Sequence, residues 1–149
     1  MQVNKSKQIG SNNKYDAGFT LLELLVVLVI LGLLTAIVGP QVMKMLGNAK
    51  SDIARIQMEN IGSALDLFNL DVGRYPSEKE GLNVLIRKPT GMESWSGPYL
   101  KSNTIPIDPW EQPYLYRQPG QDNKPYELKS LGADKKRGGS GENTDILTP

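Results

Sequence analysis

The sequence has no cysteine and no histidine. Without cysteine, no disulfide braces a small fold. Without histidine, the commonest general base near neutral pH and the commonest transition-metal ligand are both missing. Aromatic residues make up only 7% of the 149. A soluble domain built from them has a thin core, which needs a long helix, a metal or a partner behind it. The net charge is only +1, and setting aside Lys5, Lys7, Lys14 and Asp16 leaves a near-neutral remainder. That balance argues against nucleic acid as a partner. No Gly-rich phosphate loop of the P-loop type occurs, so any ATP-driven work done with this chain is powered from elsewhere.

What the chain has in excess is one apolar run. It begins at Gly18-Phe19-Thr20-Leu21-Leu22-Glu23 and continues without a charge from Leu24 to Gly39. As a helix, residues 19–39 measure about 30 Å, the thickness of a bilayer hydrocarbon core. Glu23 is the anomaly: a carboxylate there costs on the order of 2–3 kcal/mol, and more if it stays ionised and unpaired. No Lys or Arg lies within a turn of it. A chain cut immediately before Phe19 supplies the nearest cation, a new α-amino group. Residues 1–17 are polar and carry three lysines, a positive flank that stays cytoplasmic while the far side is translocated. Thr35, Ala36 and Gly39 only weakly imitate a secretory cleavage site, and Pro40 with the helical pattern beyond it opposes that reading. An uncleaved signal anchor is the plainer alternative, and it leaves Glu23 without a partner.

The junction from Gly18 to Glu23 resembles the class III leader junction of type IV pilins and type II secretion pseudopilins. The resemblance implies that a membrane prepilin peptidase cuts between Gly18 and Phe19 and that Phe19 is then N-methylated. It further implies that Glu23 meets the N-terminal amine of a neighbouring subunit. Opposite charges in a low-dielectric medium relieve each other's burial, which is what the lone carboxylate demands.

Helical periodicity continues past the span. Leu46, Ala49, Ile53, Ile56, Ile61, Ala64 or Leu65, Phe68 and Val72 recur at spacings of three and four. One helix from about Thr20 to Asp71 accounts for this. Two helices broken or kinked between Gly32 and Pro40 are the alternative, because Pro40 removes a backbone donor and crowds the preceding turn. Gly73 and Pro76 end the pattern. Ser77 and Glu80 have the spacing of a capping box, predicting a short helix from Ser77 to Leu85. Tyr99-Leu100 begins another brief element, and Pro106 to Trp110 is a rigid turn. Tyr114–Arg117 and Tyr126–Ser130 alternate as two short strands, joined by a turn from Pro119 to Asn123. That hairpin needs the Ile53–Phe68 face of the helix to cover it.

Two further stretches narrow the resemblance. Arg74-Tyr75-Pro76 followed by Glu80-Gly81-Leu82, and Asp108-Pro109-Trp110 followed by Pro113-Tyr114, look like stretches of the major pseudopilin of type II secretion. Glu111 stands at the usual glycine. With Ser130-Leu131-Gly132-Ala133-Asp134, the match extends over nearly all of residues 19–149. The fold expected is α+β and type IV pilin-like. Residues 1–18 form a leader, 19–39 a transmembrane assembly helix, 40–73 its amphipathic continuation and 74–149 a periplasmic head with a small antiparallel sheet.

Residues 131–147 are rich in glycine and in hard oxygens, from Asp134, Glu142, Asn143 and Asp145. Ordering such a loop costs conformational entropy. The residues alone leave two readings open, a solvated surface loop or one closed on a calcium ion. The spacing is not that of an EF-hand. The resemblance implies one structural calcium, with Asp134 and Asp145 as side-chain ligands, Leu131 as a carbonyl donor and Asn143 or Thr144 contributing.

The function implied is structural, not enzymatic: self-association into a helical homopolymer, the pseudopilus, that moves folded exoproteins through the outer-membrane channel. The partners implied are minor pseudopilins, an inner-membrane assembly platform, the prepilin peptidase and inner-membrane lipid. A type IV pilin or a minor pseudopilin is the alternative of the same class, and a membrane-tethered enzyme or binding module that of another.

Overall fold

A computed structural model of the chain describes residues 18–148. The expected leader lies outside the described residues except for Gly18. The chain divides into two compact units, one ending at Gly39 and one beginning at Pro40.

Helix α1 runs Leu21–Val72 and contains Pro40. Thr20 caps it: its Oγ1 accepts the Glu23 N–H at 3.2 Å, satisfying one of the free amides of the first turn. Of the two alternatives the single helix is observed, with helical residues continuing through Gly32, Gly39 and Pro40. Pro40 deletes one backbone hydrogen bond. Unwinding so apolar a stretch would leave several more backbone groups without partners. Up to Gly39 the apolar side chains are exposed, Leu21 at 83% and Leu28 at 68% among them.

In the second unit α1 supplies half the core. Ala54, Met58, Ile61, Ala64, Leu65 and Phe68 are buried, at the three- and four-residue spacing of one helix face. The front of that face differs from expectation. Ile53 and Ile56 point outward, 48% and 58% exposed, while Ala54 and Met58 point in. Stepping back from Phe68 through Leu65 and Ile61 lands on Met58 and Ala54. The small residue at 54 admits close approach, and the more hydrophobic isoleucines are off the face.

Opposite the helix lie Leu82, Val84, Leu85, Trp110, Tyr114, Leu128 and Ile146. The sheet is antiparallel, in the order β1 (Leu115–Arg117), β2 (Glu127–Ser130), β3 (Ile146–Leu147). Tyr116 pairs with Leu128, and Ser130 pairs with Ile146. Leu128 and Ser130, two residues apart on β2, are the fully buried positions, as strand alternation requires. The hairpin agrees with the alternation in the sequence, whereas β3 falls within the glycine-rich 131–147 loop. At two residues it is too short to show alternation, and only pairing with β2 defines it.

The helix expected from Ser77 to Leu85 is instead a turn followed by a 3-10 helix over Leu82–Leu85. Gly81 separates them with φ +59°, a value glycine adopts without strain. Tyr99-Leu100 forms no regular element. Tyr99 acts through its side chain, edge-on to Phe68 at 5.7 Å and to Trp95 at 5.6 Å, and its hydroxyl bonds Asp71 at 2.9 Å.

Candidate functional site

Two places carry the expected functional residues. At the first, Gly18 and Phe19 precede the helix and are exposed, Phe19 at 77%. Thr20, Leu21, Leu22 and Glu23 have the spacing of a capping box, with Thr20 at the cap and Glu23 three residues on. Only half of that box forms: the Thr20 hydroxyl takes the Glu23 amide. Among the described residues the Glu23 carboxylate has no hydrogen-bond or ion-pair partner. Its place in the first turn also puts it at the positive end of the helix dipole. The threonine of this motif therefore starts the helix, a role that the sequence reading missed although the spacing contains it.

The second place is the C-terminal loop between β2 and β3. Its two arms are brought together at the neck, where the Ala133 N–H donates to the Glu142 carbonyl at 2.9 Å. Gly132 has φ +66°, and a Cβ there would lie 2.6 Å from the Glu142 carbonyl oxygen and 3.0 Å from that of Thr144. Only a residue without a side chain lets the arms approach so closely. The neck thus sets Gly132 and Ala133 of one arm against the backbone of Glu142, Asn143 and Thr144 of the other, with Leu131 and Asp134 next in sequence on the first arm and Asp145 on the second.

These residues are not equivalent. Asp134 is half-buried, and its Oδ1 accepts the Lys136 N–H at 3.0 Å, which closes an Asx turn. Asn143 and Thr144 are exposed and sit on a 3-10 turn, Gly141–Asn143, their amides bonded to Ser140 and Gly141. Asp145 Oδ1 is buried and, among the described residues, has no hydrogen-bond partner. A buried carboxylate oxygen without a donor or cation carries a desolvation penalty of several kcal/mol on the usual scale. Among the described residues no three His, Cys, Asp or Glu side chains gather as a metal cluster. A cation here would draw on two carboxylates and on backbone or amide oxygens. That all-oxygen donor set has the chemistry of calcium, and the orphaned Asp145 oxygen fits it.

Beneath the loop is a buried carboxylate that the sequence reading did not single out. Asp108 is 2% exposed. Its Oδ1 accepts the amides of Trp110 and Gln112 at 3.0 and 2.8 Å, and its Oδ2 accepts the Ser130 hydroxyl at 2.6 Å. Ser130 Oγ in turn accepts the Gly132 N–H at 3.3 Å. The Asp-Pro-Trp turn is thereby tied to the end of β2 and to the first arm of the loop. The signal was present: an Asp before Pro, with polar amides following, is a turn whose side chain bonds its own backbone.

A third cluster lies where α1 ends. Arg74 meets both Glu80 carboxylate oxygens at 2.7 Å, and Glu80 also accepts the Ser77 amide at 2.7 Å. The Arg74 guanidinium holds the Glu80 carboxyl down at about 2. Burial, with the Asp66 carboxylate nearby, pushes the Tyr126 phenol up to about 12.

Residues 41–149 match the family described as type II secretion system (T2SS), protein G, and residues 13–39 match the prokaryotic N-terminal methylation motif. The type II secretion system core protein G of Pseudomonas aeruginosa is 46% identical over 137 residues, covering 89% of this chain and 94% of that one. Its counterpart in Vibrio cholerae is 39% identical, covering 88% and 90%. The crystal structure of the major pseudopilin from the type 2 secretion system of enterohaemorrhagic Escherichia coli superposes with a TM-score of 0.57. It is 27% identical and covers 70% of this chain and 90% of that one.

Proposed function

The chain belongs to the protein G family of the type II secretion system, and from that premise we propose how its two sites serve it. The chain is a major pseudopilin, a structural subunit of the pseudopilus, anchored in the inner membrane by the apolar start of α1 with a periplasmic head. The single observation carrying this is the family match over residues 41–149, directly preceded by the methylation motif over 13–39.

Prepilin peptidase removes residues 1–18 by cutting between Gly18 and Phe19, and Phe19 is N-methylated. Residues 19–39 then form the membrane and assembly helix, 40–73 its amphipathic continuation and 74–149 the head. The Phe19 amine of one subunit pairs with Glu23 of the next. Support comes from the carboxylate's place in a first turn surrounded by apolar side chains, where an unpaired charge is costly. The inner-membrane platform, minor pseudopilins and lipid are the remaining partners.

In the head, calcium is held by Asp134 and Asp145 with the Leu131 carbonyl and Asn143 or Thr144, and supplies charge neutralisation and cross-linking to the loop. The unpartnered Asp145 oxygen and the glycine-permitted neck support this assignment.

The assembly reading is tested by Glu23→Ala, with leader removal read from intact mass and filaments read separately by electron microscopy. Normal cleavage with lost or strongly reduced filaments is the expected result. Wild-type filaments from the variant would refute the pairing of Glu23 with the amine.

A further inference from the structure

One residue of the C-terminal loop takes part in two contacts at once. The carbonyl of Glu142 lies in the neck, where it accepts the Ala133 N–H at 2.9 Å and faces Gly132. The Glu142 side chain lies on α1 at Gly47, and a Cβ at that glycine would collide with its Cγ, Cδ and Oε1 atoms. Backbone and side chain of a single residue therefore join the neck of the loop to the helix.

Each side of this link has a firm part and a weak one. In the loop, the first arm is firm: the Gly132 N–H donates to Ser130 Oγ at 3.3 Å, and the Ser130 hydroxyl donates to Asp108 at 2.6 Å. The second arm is a single 3-10 turn, Gly141–Asn143, closed on itself by amides bonded to Ser140 and Gly141. Gly138, Gly139 and Gly141 lead into it, all with positive φ. Glycines lose the most conformational freedom on ordering, so this arm is costly to hold in place. In the helix, the core holds α1 from Ala54 onward. Before that, residues 41–46 are exposed, Gly47 is buried, and the next buried residue is Ala54. A glycine inside a helix costs about 1 kcal/mol relative to alanine, and Pro40 has already removed a backbone bond. Residues 41–53 are thus a thinly packed stretch of helix, and Glu142 covers its buried point.

We propose that Glu142 is a strap through which closure of the loop on calcium holds residues 41–53 of α1 helical. The inference rests on the calcium reading proposed above. Asn143 and Thr144 directly follow Glu142, so ordering the second arm around a cation orders Glu142 with it. The coupling is reciprocal: what loop closure adds to the helix through Glu142, the strap adds to calcium affinity.

The full chain in detergent is exchanged into deuterated buffer for seconds, with calcium or with chelator, and the peptide covering residues 43–53 is read by mass spectrometry. Tryptophan fluorescence gives Tm and the calcium titration on the same samples. In wild type, calcium slows exchange of that peptide about ten-fold at these short times, which report local opening and not global unfolding. Glu142→Ala, saturated with calcium, loses most of the slowing, and its calcium affinity falls by up to about ten-fold. Glu142→Gln keeps the atoms that cover Gly47 and keeps the slowing. Gly47→Ala exchanges more slowly than wild type in chelator, because alanine is the better helix former, yet gains little more from calcium.

A wild-type peptide that exchanges equally with calcium and with chelator, while Tm rises with calcium, overturns the strap and leaves the metal in place. Full slowing in Glu142→Ala overturns it as well. Slowing lost in Glu142→Gln makes the link one of charge or ligation and overturns packing on Gly47 as its basis. If neither Tm nor exchange responds to calcium, the metal leaves the loop and the strap falls with it.

Discussion

The two corners of the head are built from similar materials and end in opposite states. At the end of α1, Arg74, Ser77 and Glu80 satisfy one another: the carboxylate receives two guanidinium bonds, the Ser77 amide and the Ser77 hydroxyl. At the C-terminal loop, Asp134 is engaged locally, and Asp145 keeps a buried oxygen with no partner among the described residues. Both are turns that gather carboxylate chemistry, but only the first is closed by the protein itself. The first corner therefore stands on its own, and under the calcium reading proposed above the second would be closed by a cation, which would do there what the bidentate arginine does within the chain.

The largest effect expected is a thermal response to calcium. Trp95 and Trp110 both lie in the head, so the intrinsic fluorescence of the detergent-extracted full chain reports its unfolding. Calcium at about a hundred times its dissociation constant adds about 2.7 kcal/mol, which raises Tm by about 10 °C or more over the value in chelator. Asp145→Ala abolishes that rise. In chelator the same variant is neutral or slightly more stable than wild type, because it removes a buried oxygen that had no partner. A melting curve indifferent to chelator, in wild type and variant alike, would remove the metal from this loop.

The arginine corner supplies the control. Glu80→Ala removes two charged hydrogen bonds and the acceptor of the Ser77 amide. Arg74 is half exposed, so screening holds the loss to about 1–2 kcal/mol, roughly 5–10 °C in Tm. The loss is the same with calcium and with chelator, because the two corners share no partner and their effects add. A Glu80→Ala variant whose calcium response shrinks would show that the corners are coupled, and the contrast between them would fail.

Much of this architecture was legible, and what escaped did so for physical reasons. The span, the helix end and the hairpin announce themselves through long or repeated patterns. The continuity of α1 past Pro40 was legible in the apolar spacing on both sides, while a break at Pro40 stayed open because a proline's local cost is visible in sequence and the cost of unwinding an apolar segment is not. The inward turn of Ala54 and Met58 was hidden because hydrophobicity favours Ile53 and Ile56, whereas the face is set by Ile61, Leu65 and Phe68 behind them. Strand β3 is defined by its partner alone. At the loop, Asp134 and Asp145 were named from their chemistry and from the family resemblance. That one of them is left with a buried, unpartnered oxygen is a fact of packing that no spacing conveys. Asp108 is the reverse case: its motif was noticed, and its burial under Ser130 supplied the reason.

The finest distinction between the corners lies in acid. The Arg74 guanidinium holds the Glu80 carboxyl at about 2, well below its ordinary value of 4.5. Its contribution is therefore fully present above about pH 4.5 and is lost as pH falls toward 2, where the folded carboxylate also takes up a proton. With Arg74 half exposed, that contribution is about 1 kcal/mol. Glu80→Gln keeps the shape and removes the titration. The Tm gap between wild type and Glu80→Gln, measured in chelator so that the loop stays silent, should be constant from neutral pH to about 5 and close by about pH 2. A gap that stays open at pH 2 would mean that the difference does not come from the Glu80 charge on Arg74. The arginine would then be no stand-in for a cation.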